Sequence, residues 1–151
     1  MILVLDASVV VKWFVPEEKQ LEAEALLDLS TPLAAPRLIV SEAATALSKK
    51  VRLENLPTAK AQSSLALWLE HLIPQGRPIL YDDEPLLAEA LDLSVRLNHP
   101  LSDCIYLALA MKLDARLVTA DARFVSKAAL LGDGRVIALG ADPSAGSAAR
   151  R

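Results

Sequence analysis

At 151 residues, with 53% hydrophobic and 23% charged side chains, the chain is long enough for a core of its own and too apolar for a disordered protein. Its single cysteine, Cys104, excludes an internal disulfide and suits a reducing compartment. A formal net charge of −3 argues against a protein that wraps duplex DNA through a global Lys and Arg excess, leaving at most a local patch from Lys12, Arg37, Lys49, Lys50 and Arg52.

The apolar run Met1 to Leu5 reads as a buried strand that delivers Asp6 to its carboxyl end. Ser8 to Phe14 starts a short helix, and Pro16-Glu17-Glu18 opens another with Leu21, Ala25 and Leu29 on one stripe. Leu33-Ala34-Ala35 is a short strand, followed from Pro36 by a helix to about Leu53. Pro57 begins a helix carrying Leu65, Leu69 and Leu72, and Pro74-Gln75-Gly76 closes it.

Ile79-Leu80-Tyr81 is a strand, and Glu84 to Leu97 a helix with Leu87, Leu91 and Val95 turned inward. After the break at Asn98-His99-Pro100, Leu101 to Leu113 is a helix so apolar that it should lie against the sheet. Ala115 to Thr119 is a strand, Asp121 to Leu131 a helix and Val136 to Leu139 a last strand. This alternation predicts an α/β protein, a three-layer α/β/α sandwich around a mainly parallel sheet. A single domain is expected over residues 1–139, with a flexible tail over 140–151. No apolar run reaches the ~20 residues of a membrane span, and the N-terminus lacks signal-peptide character, so a cytoplasmic protein without membrane association is expected.

Four carboxylates stand out against apolar neighbours: Asp6, Glu42, Asp103 and Asp121. Taken singly, Asp103 and Asp121 read as helix N-caps, and Asp6 as the acceptor in a strand-to-helix turn. Glu42 has no such role, because it interrupts an apolar helical stretch. Acids gathered at one sheet edge repel one another, and a hard cation removes that cost. Other candidates are weaker. His71 and His99 lie away from the expected acidic edge, and Cys104 reads as inert core. No glycine-rich phosphate loop is present, and Asp82-Asp83-Glu84 reads as the cap of its own helix.

Leu3 to Trp13 resembles the opening of PIN domain ribonucleases, most closely the VapC toxins of bacterial type II toxin–antitoxin pairs. Pro36 with Glu42 to Leu47 is similar to that family's second acidic motif, Leu101 to Ala110 to its third and Leu117 to Phe124 to its fourth. Ser102 departs from the bulkier residue of many relatives but touches no proposed ligand. The resemblance implies a PIN-like fold, cleavage of RNA, a homodimer, and an antitoxin that covers the acidic groove.

Phosphodiester hydrolysis needs an activated water and neutralised phosphoryl charge, which one or two Mg²⁺ or Mn²⁺ ions supply. Asp6 and Asp103 are the expected direct ligands. Glu42 and Asp121 would complete the shell, orient water or hold a second ion. The Ser8 and Thr119 hydroxyls would bond a ligand carboxylate or metal-bound water, unless they serve only local turns. A haloacid-dehalogenase-like phosphatase would need an acid where Ser8 stands, and a receiver-like domain would need paired acids after the first strand. A non-catalytic RNA- or protein-binding module on the same fold is the remaining alternative, and it would not need all four acids.

Overall fold

The computed structural model describes residues 1–144. Five strands form one sheet in the order β3-β2-β1-β4-β5, with every neighbouring pair parallel. They are β1 (Leu3–Leu5), β2 (Leu33–Pro36), β3 (Ile79–Tyr81), β4 (Arg116–Thr119) and β5 (Val136–Ala138). The helices between them are α1 (Ala7–Val10), α2 (Gln20–Ala25), α3 (Leu38–Glu54), α4 (Thr58–Leu67), α5 (Leu87–Leu97), α6 (Leu101–Lys112) and α7 (Ala122–Ala128). Helices cover both faces of the sheet, as the α/β/α sandwich expectation requires.

β1 is buried at every position because it is the central strand, paired with β2 on one side and β4 on the other. The chain winds outward from β1 through β2 to β3, then returns to lay β4 on the opposite flank of β1. The winding therefore reverses between β1 and β4, and in open parallel sheets the crevice outside the carboxyl ends at such a point is where ligands bind. α6 packs against β1, β2 and β4, and α5 covers α6 in turn. Residues Cys104 to Ala110 of α6 are accordingly buried without interruption, which explains why that stretch is apolar all round.

Two helices face the opposite way from the sequence expectation. On α5 the buried residues are Ala90, Leu93 and Leu97, whereas Leu91 is 59% and Val95 74% exposed. The helix carries two apolar stripes, and packing on α6 selects one. On α2 the buried residue is Ala23, with Leu26 just beyond, and Leu21 is 78% exposed. α2 starts only at Gln20, after Lys19 takes a left-handed conformation with φ 64°, and ends at Ala25, so Leu29 lies beyond the helix and the expected stripe is cut short.

After α4, Trp68 rather than Leu69 enters the core, and its indole N–H donates to the Arg77 carbonyl. The Asp82-Asp83-Glu84 run does not cap its own helical turn. Asp83 instead accepts the Leu38 N–H at the start of α3, and Asp82 pairs with Arg37. Of the expected tail, Gly140 to Ser144 holds turn bonds such as Ala141 N–H to the Ala138 carbonyl, and the remainder lies outside the described residues. Among the described residues no helix is long and apolar enough to cross a membrane.

Candidate active site at the carboxyl edge of the sheet

Asp6 follows β1 in extended backbone and caps α1, accepting the Ser8 N–H at 3.1 Å. The Ser8 hydroxyl also donates to the same Asp6 oxygen. That hydroxyl in turn accepts the Ala120 N–H at 3.1 Å, which ties the end of β1 to the end of β4. Thr119, fully buried at the end of β4, hydrogen-bonds the Asp6 carboxylate and accepts the Asp121 N–H at 3.0 Å. Ser8 from α1 and Thr119 from β4 thus hold Asp6 between them. Burial dominates its electrostatics and pushes the carboxyl up to about 6, the hydroxyl bonds opposing and the Asp103 charge adding to the rise.

Glu42 lies in α3, half-buried, with Oε1 accepting the Tyr106 hydroxyl at 2.6 Å from α6. Burial raises its carboxyl above the ordinary range, and the charges of Asp103 and Asp83 raise it further against the Tyr106 bond. The Tyr106 hydroxyl is itself pushed far up, first by burial and then by Glu42, so it is a fixed donor. The Asp103 charge thus bears on both Asp6 and Glu42, raising each carboxyl.

Asp103 is not a cap, for α6 is opened by Pro100 without a side-chain bond. Its Oδ2 lies 2.7 Å from Nε2 of His99. This corrects the expectation that both histidines stand away from the acids: His99 is bonded to one of them. Asp121 does serve as a cap, accepting the N–H groups of Arg123 and Phe124 at the start of α7. It also shares with Asp103 a cavity of about 310 Å³ whose lining includes His99, Arg123 and Lys127. Arg123 and Lys127 have no ion-pair partner among the described residues.

The proposed basic patch behaves differently. Lys12 and Lys50 both bind Glu17, and Arg37 binds Asp82, so these cations are neutralised within the chain. Cys104 is buried, and burial pushes its thiol up to about 11, which leaves it unreactive. The residues missed in the sequence are His99, Tyr106, Arg123 and Lys127. Spacing offered a clue to one of them, since Tyr106 lies three residues after Asp103 in α6.

The arrangement is an oxygen-donor edge with a shared electrostatic burden. Among the described residues no three His, Cys, Asp or Glu side chains are already gathered into a metal centre. The donor set nonetheless suits a hard cation: carboxylate oxygens and hydroxyls, no thiolate, and one carboxylate held at a cost in burial. Mg²⁺ in particular keeps several waters and needs few direct protein ligands.

Three solved structures share the fold. PAE2754 from Pyrobaculum aerophilum is 23% identical, with a TM-score of 0.67 over 91% of this chain and 83% of that one. VapC20 of Mycobacterium tuberculosis, described as a sarcin-ricin loop cleaving toxin, is 15% identical, with a TM-score of 0.61 over 82% and 93% of the two chains. VapBC2 from Rickettsia felis, bound to a DNA fragment from its promoter, is 18% identical, with a TM-score of 0.60 over 94% and 100%. Comparison with curated proteins returns no significant match. The profile of the PIN domain matches residues 3–130, a span that contains Asp6, Glu42, Asp103 and Asp121 together with the sheet edge that carries them. The chain belongs to the PIN domain family.

Proposed function

We propose that the chain is a Mg²⁺- or Mn²⁺-dependent endoribonuclease that acts as the toxin of a toxin–antitoxin pair. The observation that carries this reading is the gathering of acids at the reversal point of a parallel sheet, with Asp6 after β1 tied to the end of β4, and Asp121 after β4 sharing a cavity with Asp103. Membership of the PIN family supports it, as do the likeness to an RNA-loop-cleaving toxin and to a toxin–antitoxin complex.

Asp6 and Asp103 would hold the ion, with Asp121 beside Asp103 to complete the shell. A bound divalent ion would lower the pKa of water and neutralise phosphoryl oxygens. Ser8 and Thr119 keep the Asp6 oxygens oriented. Glu42 has one oxygen engaged by Tyr106 and retains the other to accept a proton from an attacking water. Arg123 and Lys127 line the same cavity without an ion-pair partner among the described residues, and a phosphate strand would give them one.

Residues 1–139 would be one nuclease domain, working in the cytoplasm. A cognate antitoxin would bring a basic side chain to the acidic edge. A homodimer would use the exposed apolar stripe Leu87, Leu91 and Val95 of α5.

Asp6→Asn and Asp103→Asn are expected to abolish Mg²⁺-dependent RNA cleavage while circular dichroism stays unchanged. Full activity in either variant would sink the reading. A non-catalytic binding module has one observation in its favour, the lack of a preassembled three-ligand metal group among the described residues. Expression without a partner separates the two, because only a catalytic chain should arrest growth, and the Asp6→Asn variant should relieve it.

A further inference from the structure

His99 is built into the molecule more firmly than a loop histidine. Asn98 takes a left-handed φ of 48°, which ends α5 and turns the chain toward α6. The His99 backbone is pinned at both ends to Ser94: its N–H donates to the Ser94 carbonyl at 3.1 Å, and its carbonyl accepts the Ser94 hydroxyl at 2.6 Å. The ring stacks on Phe124 with centroids 4.8 Å apart and planes 15° from parallel. Its side chain is only 8% exposed, while that of Asp103 is 27% exposed. Backbone bonds and stacking thus hold the imidazole beside a carboxylate that has no other hydrogen-bond partner among the described residues.

Toward an ionised Asp103 the Nε2 atom must carry the hydrogen and donate it. Phe124 in turn belongs to the first turn of α7, where its N–H donates to Asp121 at 3.4 Å. One ring therefore links the third acid to the helix that the fourth acid caps. From this we infer that His99 is a positioning residue, holding Asp103 in the orientation that receives the divalent ion. The inference rests on the proposed metal-binding role of Asp103. Outer partners of this kind typically change metal affinity by 10- to 100-fold when removed, because the ligand must then be ordered at the moment of binding.

Mn²⁺ titration of the full chain, by calorimetry or electron paramagnetic resonance, tests this without relying on catalysis. Wild type should bind Mn²⁺ and Asp103→Asn should lose most of that affinity. His99→Ala should weaken binding by about tenfold or more. His99→Gln, whose amide Nε2 offers a donor at similar reach, should recover most of the loss, which a purely structural role would not predict. Should His99→Ala fail to fold, His99→Phe keeps a ring against Phe124, deletes the donor and should show the same loss. Wild-type Mn²⁺ affinity in a folded His99→Ala or His99→Phe variant overturns the role of His99 and leaves the metal site standing. Absence of Mn²⁺ binding by wild type, or unchanged binding by Asp103→Asn, overturns the metal reading and this inference with it.

Discussion

The hydroxyl of Tyr106 donates to Glu42 at 2.6 Å and joins the buried helix α6 to α3 across the acidic edge. Glu42 is half-buried and already burdened by neighbouring charge, so this bond is what keeps its carboxylate in place. Removing the donor leaves a buried oxygen without its partner, and that loss exceeds the net worth of the bond itself.

Tyr106→Phe is therefore expected to destabilise the protein by about 1–3 kcal/mol in urea denaturation. It should also raise the Glu42 carboxyl further, since the lost bond is one of the influences that lowers it. A double-mutant cycle with Glu42→Ala, which deletes the acceptor, reads the coupling, and a coupling near zero would show that the two side chains act independently.

Asp6 makes stability depend on pH with a definite sign. Its carboxyl is raised from 3.8 to about 6, so the folded state binds a proton more tightly than the unfolded chain. Between those values the folded state holds more protons, and stability falls as pH rises through the window. The ceiling of that loss is about 3 kcal/mol. Without added divalent ions, Asp6→Asn should thus gain on wild type in chemical denaturation as pH rises from 4 toward 7. Parallel pH profiles for the two proteins would contradict the buried, destabilised carboxylate.

Glu17 has the opposite sign. Burial alone would raise its carboxyl, but the Lys50 and Lys12 ammoniums overcome this and hold it below the usual range. Its stabilising contribution is present above the unfolded value of 4.5 and fades as pH falls through the lower folded value. Glu17→Gln should cost about 1–2 kcal/mol at pH 7, an amount already reduced for the solvent that reaches the pair, because it strands the buried Lys12. The difference between the proteins should shrink on acidification, and a constant difference would exclude the ion pair as its source.

The orientation of α5 is open to a simple comparison. Leu93 is fully buried, so Leu93→Ala should cost about 2–5 kcal/mol. Leu91 is 59% exposed, and Leu91→Ala should stay within about 0.5 kcal/mol when measured at concentrations where the protein is monomeric. A reversed ranking would restore the inward stripe that periodicity suggested.

That stripe shows where sequence reasoning stops. The alternation of strands and helices is legible because the strands are short, mostly apolar runs and many of the breaks carry Pro, Gly or Asn. Asp6 and Asp121 are legible as well, since each ends or follows such a run. The face of α5 is not, because Leu87, Leu91 and Val95 and the stripe Ala90, Leu93 and Leu97 are both apolar, and only contact with α6 chooses between them. His99 escaped notice for a different reason. It sits in a break with no periodicity of its own, and its reach to Asp103 depends on the left-handed turn at Asn98. The cation partners were hidden too, since Lys12, Lys50 and Glu17 come together only through the packing of separate elements.

The bond from Ala120 to the Ser8 hydroxyl spans 112 positions of sequence, and it stitches β1 to β4 beside Asp6. β1 precedes its partner β4 in the chain by more than a hundred residues, with β2, β3 and α2 to α6 made between them. Contacts of such long sequence separation form late, after the intervening chain has been ordered. A chain that stops before β4 contains the residues of β1, α3 and α5, and still lacks the flank against which Asp6 is oriented. The acidic edge thus comes into being only once β4 is in place, so chains that stop short of it carry Asp6, Glu42 and Asp103 without the site itself.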